Sequence, residues 1–168
     1  IMAVYYGVGD SSTRVIGSKE ARNSSRASVS LAGSSPVTLW TPMTYTKQSS
    51  TSELHVHAFL IGHGKNSYPY YGTYIRAEWS GGAYDMSVGS HYSIGAYIGS
   101  GSVIWHANQI WTPGNLSNQT GNITFKCRFK ASNNSNSRPF NTWNPNTSDE
   151  SRAHQQGSVF VVHEMEIA

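Results

Sequence analysis

Cysteine is almost absent from this chain, and charged residues and long apolar runs are scarce. The single cysteine, Cys127, cannot form a disulfide within the chain, so internal disulfides do not hold the fold together. Charged residues make up only 12% of the composition, whereas hydrophobic residues reach 38% and aromatic residues 12%. A disordered chain has the opposite balance. The 168 residues are therefore expected to build a core of their own, and they suffice for one domain.

The missing features also exclude several functions. The best apolar run, Ala58–Ile61, is far too short to cross a bilayer, and no secretion signal precedes the first strand-like run. The net charge of +3 is small, and the densest basic group lies in a Ser-rich stretch without aromatic residues. We expect no membrane insertion and no nucleic-acid binding. A mildly basic surface does suit an anionic glycan or lipopolysaccharide.

Helical periodicity is missing as well, because no segment of ten residues or more combines a 3.6-residue apolar period with caps. Short alternating segments recur instead, separated by breaks rich in Gly, Pro, Asn and Ser. This pattern predicts an all-β fold: a jelly-roll-like antiparallel β-sandwich, with residues 1–168 forming a single domain. The predicted strands are Ile1–Gly7, Val37–Trp40, Met43–Thr46, Glu53–Ile61, Tyr70–Trp79, His91–Ile98, Ser102–Trp111, Asn122–Ala131 and Ser158–Ile167.

Alternation along the strands predicts which side chains face the core. In Glu53–Ile61, one face carries only aliphatic residues, and the other mixes histidines with Phe59 and Ile61. The closing run, residues 159–162, is apolar on both faces. A strand of a sandwich that is apolar on both faces indicates that a partner subunit packs outside the sheet. The side chains predicted at this subunit interface are His55, His57, Phe59, Ile61, Phe160 and Val162.

The sharpest local motif is His55-Val56-His57, whose two imidazoles point to the same side of a strand. Three such pairs around a three-fold axis would offer six nitrogens to an octahedral transition metal. A histidine pair that lies at a subunit interface or in solvent is the simpler interpretation, and we expect no metal and no cofactor. Catalytic frames are missing too: Asp149 and Glu150 diverge in an extended chain, and Ser90-His91 lacks a nucleophile elbow. We therefore expect no catalytic residue and no enzymatic activity.

Aromatic residues in turn-rich segments are the candidates for receptor binding. Tyr68, Tyr70 and Tyr71 surround Pro69, and Trp143 is followed by polar residues. Aromatic rings beside amides suit sugars, since a ring stacks on the apolar face of a sugar while amides bind its hydroxyl groups. Such rings more often pack on a sheet edge or on a neighbouring subunit than contact a ligand. The predicted receptor-binding residues are Tyr68, Tyr70, Tyr71, Trp143, Asn144, Asn146 and Asp149.

Both ends of the chain resemble a known group of proteins. The closing Ser158-Val159-Phe160-Val161-Val162-His163-Glu164-Met165-Glu166-Ile167-Ala168 resembles the terminal strand of C-terminal β-sandwich modules in tail-fibre-like structural proteins of cyanophages and other marine phages. The opening Ile1-Met2-Ala3-Val4 is similar to their first strand, and Ser50-Thr51-Ser52 to their turn before a central strand. Residues 141–149 lie where these modules carry a loop rich in Asn, Arg and Asp, but Thr142-Trp143 departs from the Arg-containing form.

The resemblance implies a jelly-roll-like sandwich, a homotrimer and a location in the virion, in a tail or head fibre. The function expected from it is a fibre-tip module that binds a host receptor and contacts other virion proteins, as part of a longer fibre protein. Two alternatives stay open: a structural virion protein, such as a head fibre or a capsid decoration protein, and a free lectin-like or C1q/TNF-like binding module.

Overall fold

The computed structural model describes residues 13–25, 36–65, 71–91, 100–131, 140–143 and 157–167. Within these ranges the chain is nearly all strand, and its one helical element is the short 3-10 turn Gly114–Leu116. None of the described helical residues form a segment long and apolar enough to cross a membrane. The strands are β1 (Thr13–Asn23), β2 (Val37–Lys47), β3 (Glu53–Lys65), β4 (Tyr71–Trp79), β5 (Gly82–His91), β6 (Ser100–Trp111), β7 (Gly121–Ala131), β8 (Phe140–Trp143) and β9 (Ser158–Ile167).

The strand order is that of a jelly roll, which confirms the predicted fold class. Strands placed symmetrically about the middle of the chain pair antiparallel: β1 with β9, β2 with β7, β3 with β6, and β4 with β5. These four pairs form one long antiparallel ribbon. The ribbon folds over so that β9 also pairs with β3, and β7 with β4. Two sheets result, the β9 sheet with the order β1-β9-β3-β6 and the β7 sheet with the order β2-β7-β4-β5. The short β8 adds to β3 at the margin of the β9 sheet.

The core lies between the two sheets, where alternate side chains of β2, β3, β4, β6, β7 and β9 point inward. Aromatic rings connect the layers: Trp111 and Phe125 meet edge to face with centroids 5.7 Å apart, and Phe125 lies 5.4 Å from Phe160. Cys127 is fully buried, and burial raises the pKa of its thiol, so it is a small core residue. The core face predicted for β3 is confirmed at its four residues, Leu54, Val56, Ala58 and Leu60.

Several strand boundaries differ from the sequence-based prediction. The predicted strands Val37–Trp40 and Met43–Thr46 are parts of the single strand β2, whose register is irregular between Trp40 and Met43. Pro42 lies inside β2, where it is tolerated because this strand forms an edge of its sheet. β1, β5 and β8 were not predicted. The predicted strand Ile1–Gly7 and residues 92–98 of the predicted strand His91–Ile98 lie outside the described residues.

The face of β9 that the sequence analysis assigned to a subunit interface is the inward face. Phe160 and Val162 are fully buried in the core between the sheets, where neither can contact a second subunit. Their assignment to a subunit interface is therefore wrong. Val159 and Val161 occupy the outward face and are only half-buried. The apolar character of both faces was recognised correctly, but the residues that remain available to a partner are the odd-numbered ones.

Candidate functional site

The outward face of the β7 sheet is covered by ion pairs. Arg76 binds Glu78 at 2.8 Å and Asp85 at 2.6 Å, Lys126 also binds Glu78, and Arg128 lies 3.4 Å from Asp85. The hydrogen bond from Lys126 is the main reason why the pKa of Glu78 is lowered. Opposite charges therefore alternate across neighbouring strands. Such a face is typical of a surface exposed to water.

The outward face of the β9 sheet has a different character. Among the described residues, three of the four large hydrophobic side chains that are most exposed lie on it: Val15 at 48%, Ile110 at 51% and Ile167 at 49% exposure. Half-buried apolar side chains fill the space between them. We name this outward set the histidine face, and it consists of Val15, His55, His57, Phe59, Ile110, Val159, Val161, His163, Met165 and Ile167.

Three imidazoles meet in the middle of this face. His55 on β3 is the direct cross-strand partner of His163 on β9, and the rings of His57 and His163 lie with their centroids 5.8 Å apart. Ser18 Oγ lies 3.0 Å from Nδ1 of His163, and Glu53 Oε2 lies 3.3 Å from Nε2 of His55. Burial lowers the pKa of His163, and the neighbouring charges of His57 and His55 lower it further.

Sequence reasoning found only part of this cluster. It identified the His55 and His57 pair and its shared side, but it did not include His163, which is distant in sequence. The backbone of Ile61 continues the same strand, while its side chain lies outside the described part of the chain. No group of three His, Cys, Asp or Glu residues in the described ranges is placed to hold a metal ion. The cluster therefore consists of three imidazoles among apolar side chains, with Ser18 and Glu53 as the polar neighbours of His163 and His55.

Of the predicted receptor-binding residues, five lie outside the described ranges: Tyr68, Tyr70, Asn144, Asn146 and Asp149. For Tyr71 and Trp143 the backbone is described. Tyr71 begins β4, and Trp143 pairs with Gly62 near the end of β3. Both positions belong to the same end of the sandwich.

This end also receives the two longest connections, residues 24–36 between β1 and β2 and residues 132–157 between β7 and β9. The last residue of β3, Lys65, pairs with the first residue of β6, and the first residue of β4 pairs with the last residues of β5 and β7. Asn23, at the end of β1, pairs with Ser158 at the start of β9. The connections β1–β2, β3–β4, β5–β6 and β7–β9 therefore leave the sheets at the same end, which we name the loop end.

A buried carboxylate lies at the opposite end, and the sequence did not reveal it. Glu164 of β9 is fully buried, and it accepts hydrogen bonds from Tyr45 Oη at 2.8 Å, from the amide nitrogens of Gln48 and Ser49, and from Ser52 Oγ. Burial raises the pKa of Glu164, but these donors outweigh it and the pKa is lowered overall.

The donors to Glu164 come from β2 and from the turn that leads to β3, so the carboxylate fastens this turn to the β9 sheet. Lys47 is buried beside it, and burial lowers the pKa of Lys47, although the charge of Glu164 opposes this shift. The cluster is enclosed, and its donors bind the carboxylate of Glu164 or, in the case of Lys47, the carbonyl oxygen of Ser49. Its arrangement indicates a structural role.

Comparison with known proteins shows the fold and no family. No family model matches the chain, and no curated protein matches it. A solved structure of infectious bursal disease virus, Gt strain, is similar to 90% of this chain with a TM-score of 0.51 and 11% sequence identity. A structure of the VP2 subviral particle of the same virus is similar to 93% of this chain with a TM-score of 0.48 and 12% identity.

The similarity covers only 38% of each of those two viral chains, so this chain spans less than two fifths of their length. At this level of identity the likeness concerns the fold alone. The fold and its surfaces define a jelly-roll sandwich with one charged outward face and one apolar outward face that carries histidines.

Proposed function

We propose that this chain is a non-enzymatic structural module of a virion, which assembles with copies of itself through the histidine face. The observation that carries the proposal is the contrast between the two outward faces. The face of the β7 sheet satisfies its charges internally, whereas the face of the β9 sheet exposes apolar side chains that water solvates poorly. The jelly-roll order, shared at the level of fold with the Gt-strain structure, supports the virion assignment.

The charges that border the histidine face on the same sheet favour a second copy as the partner. Glu20 and Arg22 of β1 pair with each other, and Glu53 lies against His55. Two identical surfaces bring like charges together unless each surface is neutralised within itself. Because these charged side chains have partners on their own chain, copies can meet without uncompensated repulsion.

Within this proposal, the finer assignment is a trimeric fibre-tip module whose loop end binds a host glycan or lipopolysaccharide. The resemblance of the chain ends to phage fibre modules supports it, as does the position of Tyr71 and Trp143 at the end where the long connections gather. The alternative is a head fibre or a capsid decoration protein, which needs no receptor. Imaging of virions with a labelled copy of this chain separates tail from capsid positions.

Self-association is tested by light scattering coupled to size-exclusion chromatography. The wild-type chain is expected to form a trimer at micromolar concentration. Ile110→Lys places a charge on the histidine face and is expected to weaken association about tenfold or more, because the ammonium group would be buried without a partner.

Thr46→Lys is the matched control, since Thr46 is exposed on the outward face of the β7 sheet. It is expected to leave the oligomeric state unchanged. A wild-type chain that stays monomeric at tens of micromolar, or equal effects of the two lysines, would contradict the proposal.

A further inference from the structure

We propose that the contact between copies through the histidine face is released by mild acid, with His55, His57 and His163 as the sensing groups. This inference rests on the proposed self-association. It assigns a regulation to the interface that neither the fold nor the resemblance implies. The basis is the geometry of the three imidazoles, which lie among apolar side chains at the centre of the surface that the copies cover.

The cluster has few groups able to neutralise it when it takes up protons. On β1, the outward polar groups beside His163 are Ser18 and the mutually paired Glu20 and Arg22. On β3, Glu53 is the one carboxylate, and it lies against His55. On β6, the described outward residues opposite the histidines are Asn108 and Ile110, which carry no charge. One available carboxylate thus faces three imidazoles.

Neutral imidazoles are compatible with burial against a second copy, whereas charged ones are not. Protonation places up to three positive charges per chain on a surface that loses water in the assembly, and identical charges arrive from the partner. Burial and the neighbouring imidazoles lower the pKa of His163, so this member of the cluster already resists protonation in the single chain. Covering the face strengthens this resistance, so proton uptake and assembly oppose each other.

The test compares the dissociation constant of the assembly at pH 7.5 and pH 5.5 by sedimentation velocity. One histidine of ordinary pKa that is kept neutral in the assembly raises the dissociation constant about tenfold over this interval. The wild-type chain is therefore expected to dissociate at least about tenfold more readily at pH 5.5. Circular dichroism at both pH values checks that the separated chains stay folded.

The variant that replaces all three histidines, His55→Gln, His57→Gln and His163→Gln, is expected to assemble equally at both pH values, within about threefold. If the triple variant does not assemble, the single variant His57→Gln tests the inference instead. His57 is the exposed histidine of the cluster, so its replacement is the least disruptive to the fold. The pH dependence of this single variant must be smaller than that of the wild type, and an equal pH dependence overturns the inference.

The remaining outcomes separate the two proposals. A chain that is monomeric at pH 7.5 contradicts the proposed function itself. A chain that assembles at pH 7.5 and holds equally well at pH 5.5 contradicts acid release alone. Dissociation by EDTA at pH 7.5 would show that a metal bridges the copies, and it would overturn the role given to neutral imidazoles.

Discussion

Glu164 shows how one side chain can determine the position of a turn. Its carboxylate receives donors from Tyr45, from the turn residues Gln48 and Ser49, and from Ser52. An aspartate or glutamate that is fully buried is tolerated only when hydrogen bonds replace its lost hydration. The turn between β2 and β3 is therefore stabilised by the carboxylate of Glu164, which belongs to the β9 sheet. The close approach of β1 to this cluster requires a glycine at position 17, because a side chain there would collide with the hydroxyl of Tyr45.

Replacing this charge is expected to destabilise the fold. Glu164→Gln removes the ionised acceptor and leaves buried Lys47 without its compensating charge, which we expect to cost about 2–4 kcal/mol at neutral pH. Urea denaturation measures the difference. Glu166→Gln is the control, since Glu166 forms an exposed pair with Arg14 on the neighbouring strand and should change stability by less than about 1 kcal/mol.

The same group predicts a pH dependence. Because the folded pKa of Glu164 lies below its ordinary value of 4.5, this carboxylate stabilises the fold above that pH and loses its contribution as the pH falls through the folded pKa. The stability of the wild-type chain should therefore decline more steeply below pH 4.5 than that of Glu164→Gln. Parallel pH profiles would contradict the role assigned to Glu164.

At the scale of the element, β9 and β3 show when alternation of apolar and polar residues can assign the two faces of a strand. The run Val159, Phe160, Val161 and Val162 is apolar at every position, so alternation cannot assign its faces. In β3, by contrast, the histidines mark the outward face, and its core residues were predicted correctly. β1 escaped prediction because it is an edge strand with mostly exposed positions and no apolar alternation.

Two neighbouring substitutions test the faces of β9. Val162→Asp puts an unpaired carboxylate in the core and is expected to destabilise the fold by several kcal/mol or to prevent folding, by the burial cost of a charge. Val161→Asp lies on the half-buried outward face and should cost about 1 kcal/mol in the monomer. Thermal melting of both variants at low protein concentration provides the measurement. The reverse order of melting temperatures would show that the faces are misassigned.

Predicting the histidine cluster required information that alternation does not contain. The spacing of His55 and His57 follows from a period of two, but the pairing of His55 with His163 depends on which strands are neighbours. In a jelly roll these neighbours come from opposite ends of the chain, and one sequence alone does not identify them. The fold class was therefore accessible from the sequence, whereas the composition of the outward face was not.

At the scale of the whole molecule, β9 is the strand on which the β9 sheet depends. It lies between β1 and β3 and pairs with both along most of its length. Removing residues 158–168 is expected to abolish cooperative folding, since it exposes the inner face of the other sheet and leaves β1 without its partner. Loss of the sigmoidal urea transition, followed by tryptophan fluorescence, is the measurement.

The matched control keeps the backbone of β9 and changes only its outward side chains, as Val159→Thr with Val161→Thr. This variant should fold with a cooperative transition, because the pairing hydrogen bonds and the core contacts are unchanged. A truncated chain that unfolds as sharply as this control would show that the β9 sheet does not need its central strand.

The pairing of Thr13 with Ile167 brings the first and the last described residues together. Both residues lie at the end of the sandwich that holds the short β2–β3 and β4–β5 turns, away from the loop end. β1 therefore begins and β9 ends at the pole opposite the loop end. An attachment made at this pole would leave the loop end facing away from it.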